Sequence, residues 1–122
     1  MPMSLTGYSY DQFNNIICFR KRHEKVFVLK DEIIMFSING RKVDIHTVRG
    51  RHTINATLND IENNLNDAVF LRIHQSYIIN LKMIKAVKQK DGKRYIEFHH
   101  TDEIALISKN NEHKLYELVK TI

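Results

Sequence analysis

Histidine is the residue type in this chain with the most specific chemistry, because a neutral imidazole can bind a metal ion or carry a proton. The seven histidines lack the spacing of a metal-ligand motif such as His-Glu-x-x-His. His99 and His100 are neighbours on a predicted strand, so their side chains should point to opposite faces. The one cysteine, Cys18, excludes an intramolecular disulfide framework and a multi-cysteine metal site, and its strand pattern predicts burial. We therefore expect no metal site and no cofactor.

Catalysis would need a nucleophile, a base and a third orienting group, and His74, Ser76 and Asp67 come closest to such a set. No nucleophile elbow or glycine-rich oxyanion loop accompanies them. Phosphate-binding loops of the P-loop or dinucleotide type also need clustered glycines. The four glycines of this chain stand singly, at Gly7, Gly40, Gly50 and Gly92. The sequence therefore predicts that the chain is not an enzyme.

Basic residues outnumber acidic residues by nineteen to fourteen, which gives a net charge of +5. The basic residues are clustered, within residues 20–22, 41–51 and 82–94, and the last of these segments contains a single acid, Asp91. Such clusters suit a polyanionic partner such as nucleic acid. They are equally consistent with solvated faces of edge strands, where lysine discourages aggregation. Charge alone leaves both interpretations open.

The elements that must position these residues are predicted to be short β-strands. Asn39-Gly40 and Asp91-Gly92 separate apolar segments and are typical of two-residue hairpin turns. Asp44 and His46 give one predicted strand a wetter face. No alternation of strands with helices is visible, which disfavours a doubly wound parallel sheet. The sequence predicts a mainly β fold with about eight to ten short strands, including residues 16–21, 26–29, 33–38, 43–48, 52–55, 70–74, 83–89, 94–99 and 104–107.

Two helices are also predicted, one short and one at the C-terminus. The short helix covers residues 57–65, where Thr57 and Asp60 have the spacing of a capping box. Ser108 is a good N-cap for the second helix. One side of that helix is apolar, with Leu115, Leu118, Val119 and Ile122.

The length of 122 residues suits one domain, which we assign to residues 14–122. Residues 1–13 are polar and show no periodicity, and we interpret them as an N-terminal tail or linker remnant. No apolar run approaches the length of a membrane span, and no signal peptide is visible. We therefore expect a cytoplasmic protein without a membrane partner.

The most informative segment is Phe70–Leu81, where alternation of apolar and polar residues breaks at Gln75-Ser76. Its pattern predicts a short strand that enters a tight turn or a single helical turn, which Asn80 can cap. The segment resembles the signature of the LytTR (LytR/AlgR-type) DNA-binding domain, with Ile79 in place of the usual valine. The order of elements extends this resemblance over residues 14–120. The matching residues are Phe70, Arg72, His74, Ser76, Tyr77, Asn80 and Leu81.

The resemblance implies an elongated, mainly antiparallel β fold that binds double-stranded DNA sequence-specifically and regulates transcription in bacteria. It implies that loops on one edge enter successive major grooves and follow the DNA backbone between them. The residue types fit this role, because arginine can recognise guanine, and glutamine or asparagine can recognise adenine. The implied contacts lie in a loop, in the signature turn and at the start of the last helix, at Asn39, Arg41, Lys42, Arg72, His74, Gln75, Ser108, Lys109 and Asn110.

Two alternatives stay open beside this interpretation. Arg72, His74 and Tyr77 could brace the signature turn without touching DNA. Gln75 and Asn110 stand where family members often carry basic residues, so a protein-interaction module of the same fold, acting as a regulatory partner, is the alternative function. On the DNA-binding interpretation, the expected partners are promoter direct repeats, a second copy of the chain on DNA, and a receiver domain or partner protein outside this chain.

Overall fold

The computed structural model describes residues 14–122, so the predicted tail at residues 1–13 lies outside the described part of the chain. The described part contains ten strands in antiparallel sheets and two α-helices, which confirms the predicted fold class. In chain order the elements are β1 (Ile16–Arg20), β2 (Lys25–Leu29), β3 (Ile33–Asn39), β4 (Lys42–Thr47), β5 (Gly50–Ile54), α1 (Leu58–Asn64), β6 (Phe70–His74), β7 (Tyr77–Asn80), β8 (Ile84–Lys90), β9 (Lys93–Phe98), β10 (Ile104–Leu106) and α2 (Lys109–Leu118).

The central sheet has five antiparallel strands in the order β5-β4-β3-β7-β6. Its β3–β4 hairpin turns at Gly40, whose φ of 61° is a conformation that glycine adopts at no steric cost. Its β6–β7 hairpin turns tightly at Gln75-Ser76, and a single 3-10 turn, Leu81–Met83, follows β7. Asn80 caps that turn by accepting a 3.0 Å hydrogen bond from the backbone N–H of Lys82. The tight turn and the single helical turn, predicted as alternatives, therefore both occur.

Two apolar cores, one on each face of the central sheet, hold the layers together. On one face Phe36 packs with Phe19 of β1 and Ile61 of α1. On the other face Ile79 packs with Ile96 of β9. The three-stranded sheet β10-β9-β8 and helix α2 cover this second face. Burial of a side chain of this size contributes about 1.5–3 kcal/mol, so the two cores fix the position of every strand of the central sheet.

Both helices begin at their predicted caps. The Thr57 hydroxyl accepts a 3.0 Å hydrogen bond from the N–H of Asp60, and the Asp60 carboxylate accepts one from the N–H of Thr57, which completes the capping box. Ser108 caps α2. Of the helices in the described chain, none has the length and apolar character that a membrane span requires.

Two expectations about apolar residues differ from the structure. The predicted burial of Cys18 is wrong, because β1 and β2 form a two-stranded sheet with only one covered face, and Cys18 lies on the other face opposite Phe27. Of the predicted apolar side of the last helix, only Leu115 is buried. The second core extends along α2 only as far as Leu115, and the helix ends at Leu118. The apolar residues after Leu115 are therefore exposed.

Two expectations about polar residues also differ. The prediction that His99 and His100 lie on a strand is wrong, because β9 ends at Phe98 and His100 turns the chain with a φ of 71°. The expected wetter face of β4 is buried, with Asp44 and His46 only 6% and 7% exposed. His46 hydrogen-bonds with a nearby serine hydroxyl and lines the same cleft as the loop between β9 and β10. Polar side chains tolerate such burial when protein groups replace their water hydrogen bonds.

Candidate nucleic-acid interface

The β3–β4 loop and the signature turn, which is Gln75-Ser76 between β6 and β7, lie side by side at one end of the central sheet. Strand β3 runs antiparallel to β7, with Ser37 opposite Tyr77. Just beyond that pair, the N–H of Ile38 donates a 3.2 Å hydrogen bond to the carbonyl of Ser76. In the strand order β4-β3-β7-β6, the centres of the two hairpins are two strand spacings apart, about 10 Å. Residues far apart in sequence therefore share one edge.

The start of α2 joins the same end of the sheet. The side-chain amide of Asn111 donates a hydrogen bond to the carbonyl of Ile73, close to the signature turn. The Ser108 hydroxyl accepts a 3.2 Å hydrogen bond from the N–H of Asn111, so the cap and the docking contact involve the same residue. Lys109 and Asn110 lie between them and are exposed. We call the combined surface, residues 39–42, 75–76 and 108–110, the turn edge.

The β3–β4 loop is anchored through the buried carboxylate of Asp44. That carboxylate accepts hydrogen bonds from the Asn39 amide at 3.1 Å and from the Thr53 hydroxyl at 2.7 Å. Burial raises the pKa of Asp44, but the two hydrogen bonds and the nearby Arg51 outweigh burial and hold the pKa below its ordinary value. Asn39 is therefore held against the sheet by a charged acceptor, while its neighbour Arg41 is exposed at the tip.

The signature turn is braced by Arg72 and His74. The Arg72 guanidinium donates to the carbonyls of His74 at 2.9 Å and Gln75 at 2.7 Å, and to the side chain of Asn59 in α1 at 3.1 Å. The Nδ1 atom of His74 accepts a 3.1 Å hydrogen bond from the N–H of Ser76. These contacts fix the backbone of the turn and leave the Gln75 side chain exposed. The structure thus supports the bracing alternative for Arg72 and His74.

The turn edge carries unpaired positive charge. Among the described residues no carboxylate lies within salt-bridge distance of Arg41, Lys42 or Lys109. Glu112, in the first turn of α2, pairs with Arg94 at 3.2 Å and accepts a 2.8 Å hydrogen bond from the Tyr116 hydroxyl. An edge of free cations beside a neutralised acid attracts polyanions.

The structure divides the nine predicted contact residues into two groups. DNA contact by any of them stays a prediction. Four make hydrogen bonds within the protein, namely Asn39, Arg72, His74 and Ser108. Five have exposed side chains on the turn edge, namely Arg41, Lys42, Gln75, Lys109 and Asn110.

Two residues that shape the edge were missed by sequence reasoning. Asp44 anchors the β3–β4 loop, and Asn111 docks α2 onto β6. The sequence signal for Asp44 is an acid within the strand that follows the Asn-Gly turn. The signal for Asn111 is a polar residue three positions after the N-cap.

Over residues 14–122, no three His, Cys, Asp or Glu side chains come together as a metal site would require.

Comparison with known sequences connects this geometry to a family. The family model for the LytTr DNA-binding domain matches residues 23–120. The transcriptional regulatory protein LytR of Staphylococcus aureus (strain MW2) is 42% identical over 67 residues, which are 54% of this chain and 27% of LytR. The transcriptional regulatory protein NatR of Bacillus subtilis (strain 168) is 32% identical over 97 residues, which are 79% of this chain and 42% of NatR. The chain thus spans less than half the length of these relatives.

Comparison with solved structures agrees in fold. A LytTr DNA-binding domain from Bacillus cereus superposes with a TM-score of 0.71 and covers 88% of this chain and 98% of its own. Its sequence is 17% identical, so this likeness concerns the fold alone. The family model covers most of the described residues, including the signature turn and the start of α2. The chain therefore belongs to the LytTR DNA-binding domain family.

Proposed function

We propose that the chain binds double-stranded DNA sequence-specifically, through the turn edge, and thereby regulates transcription. The observation that carries this proposal is the convergence on one edge of three bends, two of which carry free cations. The Ile38–Ser76 and Asn111–Ile73 hydrogen bonds join these bends. Membership of a DNA-binding domain family and two relatives named as transcriptional regulatory proteins support it. A chromosomal ligand implies that the protein works in the bacterial cytoplasm.

Each exposed side chain of the edge has a chemically distinct role in this proposal. Arg41 is suited to a bidentate contact with guanine O6 and N7, and Gln75 and Asn110 to adenine N6 and N7. Lys42 and Lys109 supply sequence-independent attraction to phosphates. The β3–β4 loop, the signature turn and the start of α2 follow one another along the turn edge, and in this proposal they insert into successive major grooves.

The decisive experiment selects bound duplexes from a pool of random sequences. The affinity for the enriched sequence is then measured as a function of salt concentration. We expect one enriched sequence, and an affinity that falls steeply with salt because several phosphate contacts release counterions. If the enriched sequence contains direct repeats, gel shifts should show cooperative binding of two copies at a spacing near one helical turn. A pool that stays random, with an affinity insensitive to salt, would contradict the proposal.

The second candidate is a protein-interaction module of the same fold that acts as a regulatory partner. The outer face of the β1–β2 sheet favours it, because Phe27 is 73% exposed there beside Ile16 and Leu29. The receiver domain or partner protein expected outside this chain is the natural class of ligand for such a face. Size-exclusion chromatography with short duplex DNA separates the candidates, since only the DNA-binding module comigrates with the duplex.

A further inference from the structure

The tip of the β8–β9 hairpin lies next to the start of α2, at the end of the turn edge. Strand β10 pairs with β9, with Leu106 opposite Tyr95, and the N–H of Ile107 donates a 3.1 Å hydrogen bond to the carbonyl of Arg94. The residue after Ile107 is the α2 cap, Ser108. The hairpin tip at residues 90–93 therefore lies close to the start of α2 and so to the turn edge.

This tip holds two lysines directly opposite each other. Lys90 pairs with Lys93 across the two-residue turn Asp91-Gly92, whose φ values of 54° and 77° are those of a tight hairpin turn. Side chains at directly opposed positions have Cβ atoms about 5 Å apart, and like charges there destabilise the hairpin. Lysine on an edge strand such as β8 discourages aggregation, but that role does not require two lysines directly opposite each other.

Another lysine on the same face of the hairpin forms a salt bridge. Lys88, two residues before Lys90, pairs with Glu97 at 2.8 Å. In the described chain no carboxylate lies within salt-bridge distance of Lys90 or Lys93. The only acid at the tip is Asp91, in the turn itself. Among the described residues, the hairpin thus pairs Lys88 with an acid and leaves Lys90 and Lys93 at its tip, and Lys85 further in, without a salt bridge.

We propose that Lys90 and Lys93 together bind a backbone phosphate of the DNA held on the turn edge. The proposal rests on the proposed function, and it adds an anchor outside the three bends that carry base-reading side chains. A bound phosphate places a negative charge between the two ammonium groups and removes the repulsion between them. Lysine is a compact point charge without a fixed hydrogen-bonding fork, so the anchor recognises the phosphodiester and not the base.

The test is the salt dependence of binding to a mixed-sequence duplex several helical turns long, measured by fluorescence anisotropy with the full chain. Each phosphate contact contributes about 0.9 to the slope of log affinity against log salt. The double variant K90Q/K93Q should lose one such contribution, because the two lysines share one phosphate. Between about 50 and 200 mM salt, its affinity should therefore fall about threefold to fourfold less than the affinity of the unmodified chain.

The matched control is K82Q/K120Q, which removes the same charge at exposed positions outside the hairpin tip. Its slope should stay close to that of the unmodified chain. Thermal unfolding at low salt provides the second readout: K90Q/K93Q should unfold at the same or a higher temperature, because it loses a like-charge pair.

The outcomes separate this inference from the proposed function. An unmodified chain that binds no duplex overturns both. Duplex binding with equal slopes for K90Q/K93Q and K82Q/K120Q overturns the phosphate anchor alone. A shallower slope confined to K90Q/K93Q, in a variant that unfolds no earlier, supports the anchor.

Discussion

The two neighbouring bends of the central sheet differ in how many side-chain hydrogen bonds hold them. The signature turn is held by Arg72 and His74, whose hydrogen bonds satisfy three backbone groups of the turn and reach α1. The β3–β4 loop relies on one side-chain bond, from Asn39 to Asp44, and leaves Arg41 free. The difference teaches that the residues of the family signature mainly hold a turn rigid, whereas the less constrained loop presents the free cation.

The largest effect should come from replacing Arg72 with alanine, which tests whether this residue braces the turn. Loss of hydrogen bonds from a charged donor to two carbonyls and Asn59 should lower the unfolding free energy by about 2–3 kcal/mol, measured by denaturant titration. DNA affinity should fall with it, because Gln75 loses its backbone support. Arg72→Lys keeps the charge without the planar fork and should restore little of the stability. Unchanged stability with lost DNA affinity would instead make Arg72 a direct DNA contact.

The next largest effect should come from Arg41→Ala at the tip of the β3–β4 loop, and it should concern DNA binding alone. We expect a loss of about 1–3 kcal/mol in affinity for the selected sequence and relaxed preference at one base pair. The unfolding free energy should change by less than about 0.5 kcal/mol, because the side chain is exposed and unpaired. Lys42→Ala is the matched control and should weaken all duplexes to a similar, smaller extent. A uniform loss in Arg41→Ala would show that Arg41 binds phosphate.

The smallest effect should come from Asp44→Asn, which sharpens the comparison at the loop anchor. The pKa of Asp44 is lowered in the folded protein, so its carboxylate stabilises the fold fully above the unfolded-state pKa of about 3.9. That contribution is lost as the pH falls below this value through the lowered pKa. The unfolding free energy of the variant should therefore be about 1 kcal/mol lower than that of the unmodified chain at neutral pH. This difference should become smaller below about pH 4. A difference in unfolding free energy that does not change with pH would refute the anchoring role of the Asp44 charge.

The sequence allowed prediction where local rules decide the structure. The capping box of Thr57 and Asp60 and the tight turn at Asp91-Gly92 involve residues no more than three apart, and the structure contains both. The family signature located the turn, yet the bracing and contacting roles of Arg72 could not be separated, because its partner Asn59 lies thirteen residues away.

The parts that could not be predicted depend on which layer covers which face. Alternation in β4 correctly separated Asp44 and His46 from the apolar residues, but the cover over His46 comes from a loop more than fifty residues later. Alternation in β1 likewise separated Cys18 from Phe19 without showing that one face of the hairpin stays open. The docking of Asn111 on Ile73 joins residues thirty-eight apart, so the local pattern around the N-cap could not identify the partner of Asn111.

The arrangement of the turn edge bears on how such domains diversify. Its backbone is fixed by groups set back from the tips, among them Asp44, Arg72 and Asn111, while Arg41, Gln75 and Asn110 project from it. Exchange at the projecting positions leaves the supporting hydrogen bonds intact. On the proposed function, a few substitutions at these positions, each nearly neutral for folding, would redirect the scaffold to a new operator, so that promoter choice and structural integrity would evolve almost independently.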